Sequence, residues 1–514
     1  MVKDWLSFCD SYHKKLCKAN FTDLGLTVID CEQRRMTNLP FREPYLTLSY
    51  VWGCGRFSWD DRFSLLPAKM EATIEDAMSV VITLGFRFLW VDRYCIPQHD
   101  LDERHSQIQQ MGEIYAQSSL TIIAIAGEGP DHGLPGVSST HRVPSDKLRS
   151  PFLDPVTIPP NIEDEYAASK WRSRGWTYQE GLLARRRLLF TDSQVYFQCA
   201  GMHCQESLSI PLACLHIKDW SKFKDEYIGI FPHLGIGETS LEILDRIEEY
   251  VHREFTYPSD ALDAFQGVFR AFQSLSHPVR QVCGIVILDP RTWPSTKSFT
   301  IEDMLVLGLC WGFYGPDQID RQPHFPSWTW LGWKAGRDVK FDMAWRQRNV
   351  PLKILATATI EVKPGVVERV DKSPWGTVGA TGHPSVLVLK AWTFPLKPVN
   401  ELSQYAGSWS ASKRWYLEKR DGRSWKDLHI FAVEEFKLLG QLGPADTCDV
   451  SLVVLGHRGE CETLLMLVRY VEDRQAYERL PYHLSMIGLI RIDGDGVVRS
   501  MQDFEPEWRE IRLI

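Results

Sequence analysis

Glu180 stands four residues after Trp176 in the run Ser173-Arg174-Gly175-Trp176-Thr177-Tyr178-Gln179-Glu180. On a helix that spacing puts indole and carboxylate on one face. A carboxylate beside an indole can have its pKa raised by desolvation, or can hydrogen-bond a ribose hydroxyl while the indole stacks on a ring. The competing reading is an ion pair of Glu180 with Arg174 or Arg185, and residue types alone favour it. Three earlier runs carry further chemistry: Ser49-Tyr50-Val51-Trp52-Gly53, Asp92-Arg93-Tyr94-Cys95 and Gly127-Glu128. They offer hydroxyls (Ser49, Tyr50), carboxylates (Asp92, Glu128) and an aromatic stacking surface (Trp52). Ser49 and Asp92 serve equally well as caps of the turns that follow them.

Each of these runs lies at the carboxyl end of a short apolar segment. Tyr45–Val51, Arg87–Val91 and Ser119–Ala126 read as strands, the last nearly all apolar. Helical periodicity separates them, over 67–84 (Met70, Ile74, Ala77, Met78, Val81, Ile82) and 103–115 (Ile108, Met111, Ile114, Tyr115). Alternating strands and helices with buried strands predict an α/β fold, a parallel sheet covered by helices, and ligands there bind outside the carboxyl ends of the strands. A Gly- and Pro-rich excursion over 127–168 follows, then a predicted helix from Trp176 to Ala184 and strands at Arg187–Phe190 and Val195–Gln198.

Other constellations are weaker. Cys9, His13 and Cys17 share a helix face, but on one continuous helix Cys9 and Cys17 sit ~12 Å apart along the axis, too far for one ion. The reading is therefore packing, with no metal site expected. Cys199, His203 and Cys204 lack a CxxC pair and an obvious partner cluster. Cys95 with His99 or His105 has the types of a nucleophile and base, but a thiol after an apolar strand reads as buried and inert. GxSxG, GxxxxGK[ST], HExxH and strand-linked GxGxxG motifs are absent.

Composition narrows the class. A net charge of −8 and pI near 6.0 exclude a broad nucleic-acid or anionic-membrane surface. The basic run Arg185-Arg186-Arg187 reads as a solvated or salt-bridged helix end in preference to a phosphate contact. No apolar run reaches the ~18–20 residues needed to cross a bilayer. With no signal peptide, the 12 cysteines of 514 residues read as reduced thiols, which places the chain in cytosol or nucleus, the cytoplasm being the expectation adopted.

Three blocks in order resemble the fungal heterokaryon-incompatibility (HET) domain: Tyr45-Leu46-Thr47-Leu48-Ser49-Tyr50-Val51-Trp52-Gly53; Leu89 to Gln98 with Met111-Gly112-Glu113-Ile114-Tyr115; and Arg174 to Glu180. Trp5-Leu6 with Cys9 and His13, Tyr257 to Asp260, and Pro326-Ser327-Trp328-Thr329-Trp330 look like features of long members of that family. The resemblance implies a role in allorecognition, innate immunity and programmed cell death. It also implies a remote similarity to the TIR fold, a flavodoxin-like parallel sheet. Some TIR domains cleave NAD with a glutamate a few residues after a tryptophan, an arrangement that Trp176 and Glu180 match. On that similarity Glu180 is the candidate catalytic residue, with Ser49, Tyr50, Trp52, Gly53, Asp92 and Trp176 placing the substrate.

The resulting expectation is an N-terminal helix and lead-in over 1–40, the HET domain over 41–205, a helical connector over 206–280, and a β-rich C-terminal domain over 281–514. The preferred function is a signalling or effector module acting through self-association of the HET domain, or through an unknown incompatibility or activator protein, without catalysis or cofactor. The alternative is an NAD glycohydrolase switched on by assembly, with NAD as substrate. The 19 tryptophans read as core and packing residues rather than as a carbohydrate-binding surface.

Overall fold

A computed structural model describes residues 1–18, 22–53, 65–97, 100–143, 147–150, 153–157, 161–208, 211–215, 229–232, 235–292, 299–314, 319–336, 340–343, 352–363, 365–368, 386–398, 415–418, 424–425, 449–459, 462–481, 484–487 and 506–514. The chain divides into two compact units. The first is Met1–Glu238 with Arg253–Thr256 and Asp263–Ala271; the second is Thr239–His252 with Tyr257–Leu262 and Phe272–Ile514. The helices of the expected connector are thus shared between the two.

The first unit opens with α1 (Val2–Tyr12) and α2 (Lys14–Cys17), then β1 (Thr27–Asp30), β2 (Arg35–Asn38) and β3 (Tyr45–Ser49). The chain continues through α3 (Ala72–Leu84), β4 (Phe88–Val91), α4 (Asp92–Cys95), α5 (Leu101–Gln117) and β5 (Leu120–Ala124). The Gly- and Pro-rich excursion holds a hairpin, β6 (Lys147–Ser150) with β7 (Leu153–Thr157), and α6 (Ile162–Ala168). After it come α7 (Lys170–Ser173), α8 (Trp176–Leu183), β8 (Arg186–Phe190), β9 (Val195–Cys199) and β10 (His203–Gln205).

Eight of these strands form one sheet in the order β10-β9-β8-β5-β3-β4-β1-β2. The four inner strands β8, β5, β3 and β4 are parallel, and every residue of β3, β4 and β5 is buried. Burial on both faces explains why these strands read as unbroken apolar runs. The sheet as a whole is mixed rather than all parallel, because β1–β2 and β9–β10 add antiparallel margins. The reason is chain length: β8 turns into β9 through Thr191–Gln194, and a connection that short can only join antiparallel strands.

Helix ends follow local chemistry. The Asp100 carboxylate accepts from the amides of Asp102 and Glu103, starting α5, and Gly85 at φ +90° stops α3. The basic run is absorbed by similar contacts. Arg187 donates to the carbonyls of Gly181 and Leu182 at the end of α8, Arg185 donates to Ala116 O at the end of α5, and Arg186 pairs with Asp10.

The second unit is β-rich. Among the described residues its main sheet has 11 strands, including Val386–Pro398, Val450–Arg458 and Glu462–Val471. The Pro326–Trp330 motif is core: Trp328 is fully buried, Trp330 Nε1 donates to Gly284 O at 2.8 Å, and Trp333 Nε1 donates to Ser327 O at 2.8 Å. Among the described residues no helix is long and apolar enough to cross a membrane.

Candidate functional site

The parallel strands run β4-β3-β5-β8 in space, so the chain winds from β3 to one side and then crosses back to the other. Such a reversal opens a crevice at the carboxyl ends of the strands beside it. Ser49 is the last residue of β3, and Asp92 follows the last residue of β4. Helix α8 packs on β3 and against α5. Its approach is set by α7, capped by the Ser169 side chain on the Arg172 amide, and by Thr177 Oγ1 donating to Trp171 O at 2.6 Å. That tight turn places Trp171 and Glu180 on either side of Ser49.

The result is a relay of buried hydrogen bonds. Trp171 Nε1 donates to Ser49 Oγ at 2.8 Å, and Ser49 Oγ donates to Glu180 Oε2 at 2.5 Å. Tyr115, whose hydroxyl donates to Leu48 O at 3.2 Å, lies within hydrogen-bonding reach of the same carboxyl. Glu180 is 3% exposed. Neither Arg185 nor Arg174 forms a salt bridge with it among the described residues; Arg174 contributes only a nearby positive charge.

Asp92 is half-buried. Its Oδ2 accepts from Trp52 Nε1 at 2.8 Å and its Oδ1 from the Arg93 amide at 2.7 Å. The Arg93 guanidinium lies 5.0 Å over the Trp52 ring, donates to Trp52 O at 3.0 Å and pairs with Glu71 at 2.9 Å; Tyr94 donates to Glu71 at 2.6 Å. One face of the expected stacking residue is thereby covered by a cation. Gly53 follows at φ +71°, where a Cβ would lie 2.9 Å from Pro130 Cδ, so the Trp52 turn needs glycine here.

Burial raises both carboxyls. Glu180 is pushed up to about 8, by desolvation first and by the negative charge of Asp92 second, against the Ser49 hydrogen bond and the Arg174 charge. Asp92 rises to about 6 by desolvation, opposed by the Arg93 amide, the Trp52 indole and the charges of Arg93 and Arg174. The two titrate as a pair. Burial thus holds both carboxyls towards their protonated forms, and each responds to the charge of its neighbourhood.

Residues 45–180 match the family described as heterokaryon incompatibility protein (HET). The chain carries a HET domain. The matched segment starts at the first residue of β3 and ends on Glu180, so the family match spans the relay. No curated protein and no solved structure gives a significant match.

Within the HET domain the structure brings together Glu180, Ser49 and Asp92 with Trp52 and Gly53. Tyr50 is buried beside Asp92, and its hydroxyl has no hydrogen-bond partner among the described residues. Trp176 is half-buried and packs on the core around β3. Cys95 is buried and its thiol is pushed up to about 12 by desolvation, while His105 is exposed; His99 lies outside the described residues. Glu128 is exposed, outside this cluster. Sequence reasoning missed Trp171 and Tyr115 as partners. Tyr115 carried a signal, as the end of the Met111–Tyr115 block; Trp171 carried none, sitting just upstream of the motif.

Proposed function

We propose that this protein is an effector of a heterokaryon-incompatibility-related response whose HET domain hydrolyses an N-glycosidic bond, with NAD as the substrate class. The observation that carries the reading is the Ser49–Glu180 hydrogen bond beside Asp92, at the carboxyl ends of parallel strands. Two carboxyls there can set negative charge beside an oxocarbenium-like transition state, and the neutral nicotinamide leaves without needing a proton. Asp92 supplies negative charge next to the ribose and takes the proton of the attacking water. Glu180 hydrogen-bonds the ribose hydroxyls, and a cationic nicotinamide ring entering beside it favours the ionised form. Tyr50 and Trp52 line the approach. The strand order and the Trp176-to-Glu180 spacing support a TIR-like, flavodoxin-type ancestry for the site.

Glu180 is almost fully buried, and that observation favours a second reading: copies of the HET domain, or an activator protein, assemble and signal without catalysis. One experiment separates the two. Wild type and Glu180→Gln are expressed inducibly in a fungal cell, and growth and NAD are followed. Growth arrest with NAD depletion, both lost in Glu180→Gln, is the outcome expected for hydrolysis. Arrest that persists in the variant with NAD unchanged excludes hydrolysis as the output and leaves assembly.

A further inference from the structure

Outside the matched segment, a second cluster of chemically active side chains is completely enclosed. Cys9, His13, Cys17 and Cys199 are all buried, and their ligand atoms lie within 4.8 Å of one another. We propose that these four residues form a tetrahedral zinc site that fastens the N-terminal helices to the β9–β10 hairpin. This site is independent of the reaction proposed for Glu180.

The chain is shaped to build it. On one continuous helix Cys9 and Cys17 would be ~12 Å apart. The helix instead breaks at His13 (φ −112°, ψ 22°), which ends α1 and begins α2. The His13 amide closes the last turn on Cys9 O at 2.8 Å, and the Cys17 amide returns to His13 O at 2.9 Å. Folding the two turns back on each other brings Cys17 beside Cys9 and turns the imidazole inward. Cys199, at the end of β9, completes the set from 182 residues further along the chain than Cys17.

The spacing is that of a site rather than of loose packing. Zinc–sulfur bonds of ~2.3 Å and zinc–nitrogen bonds of ~2.0–2.1 Å in a tetrahedron place sulfur and nitrogen about 3.6 Å apart and two sulfurs about 3.8 Å apart. Cys199 Sγ lies 3.4 Å from His13 Nδ1, and Cys17 is within hydrogen-bonding reach of both Cys9 and Cys199. A Cys₃His set is a common structural zinc constellation, closed to further ligands.

The surroundings suit thiolates. The hairpin turn is drawn tight by Cys199 N donating to Met202 O at 2.9 Å, and it aims backbone amides at sulfur. Gly201 N donates to Cys199 Sγ at 3.4 Å, and the Ala200 amide reaches the Cys17 sulfur. Such outer hydrogen bonds hold thiolate ligands in place. Gly201 must be glycine, since a Cβ there would lie 2.5 Å from the His13 ring. Three thiolates and a neutral imidazole leave a zinc complex one negative charge in excess, and the Arg186 guanidinium sets a positive charge near Cys9 and Cys17.

The test is the metal content of the full chain, purified without chelators and measured by inductively coupled plasma mass spectrometry. About one zinc ion per chain is expected. Content should fall at least about tenfold in Cys199→Ser and Cys17→Ser, and stay unchanged in Cys204→Ser, a buried thiol outside the cluster. Cobalt exchanged into wild type should give the visible absorption of tetrahedral thiolate cobalt, a readout that requires no variant to fold. Metal-free wild type that takes up no cobalt would overturn the proposal. So would zinc fully retained by Cys199→Ser, or a disulfide among Cys9, Cys17 and Cys199 in the isolated protein.

Discussion

Replacing Glu180 with glutamine removes an ionisation that the fold opposes. The Glu180 carboxyl rises from an ordinary 4.5 to about 8 in the folded chain, and the residue is 3% exposed. The native state therefore holds a proton that the unfolded state releases once pH passes ~4.5, and stability falls as pH climbs from there through about 8. At ~1.4 kcal/mol per pH unit the full rise corresponds to about 5 kcal/mol, and sharing the titration with Asp92 reduces it to roughly 2–5 kcal/mol. Glutamine is close to the protonated acid in shape and still accepts from Ser49. Glu180→Gln should match wild type near pH 5 and exceed it by that amount near pH 9. Hydrogen-exchange mass spectrometry in urea, read on peptides covering β3 and α8, isolates the response of the N-terminal unit. Infrared difference spectroscopy at pH 7 should show a protonated-acid carbonyl band that the variant lacks. Parallel stability curves for the two proteins from pH 5 to pH 9, with no such band, would refute the reasoning.

Three other substitutions test the same site. Ser49→Ala leaves the Trp171 indole and Glu180 without their shared partner, and should lower unfolding stability by about 1–3 kcal/mol in urea titrations at pH 6. Asp92→Asn removes the negative neighbour of Glu180, so the Glu180 acid band should be lost at lower pH than in wild type, an infrared titration being the check. Gly53→Ala forces a side chain into φ +71° against Pro130; a loss of about 1–3 kcal/mol and weakened exchange protection around Trp52 are expected.

How far the sequence reveals this protein varies by element. β3, β4 and β5 were legible because strands buried on both faces show as apolar runs, and α5 because its apolar positions recur at helical spacing below an Asp100 cap. Of the antiparallel margins β9 was legible as the strand expected at Val195–Gln198, whereas β2 and β10 were not, being short strands whose meaning lies in which neighbour they meet. At Glu180, residue types alone favoured an ion pair with Arg174 or Arg185. The fold instead spends Arg185 on carbonyls at Ala116 and Lys18 and pairs Glu180 with Ser49, a contact 131 residues distant that no local pattern encodes. The break at His13 has no glycine or proline to announce it, so the separation expected between Cys9 and Cys17 followed from a helix that does not continue.

The most direct measurement is nicotinamide release from NAD by the purified chain, oligomerised or crowded, at pH 7. Steady release by wild type, abolished in Glu180→Gln and in Asp92→Asn while both variants keep their fold, is the predicted result. Absence of release by wild type under every assembling condition, or release undiminished in Glu180→Gln, would contradict the assignment of hydrolysis to this pair.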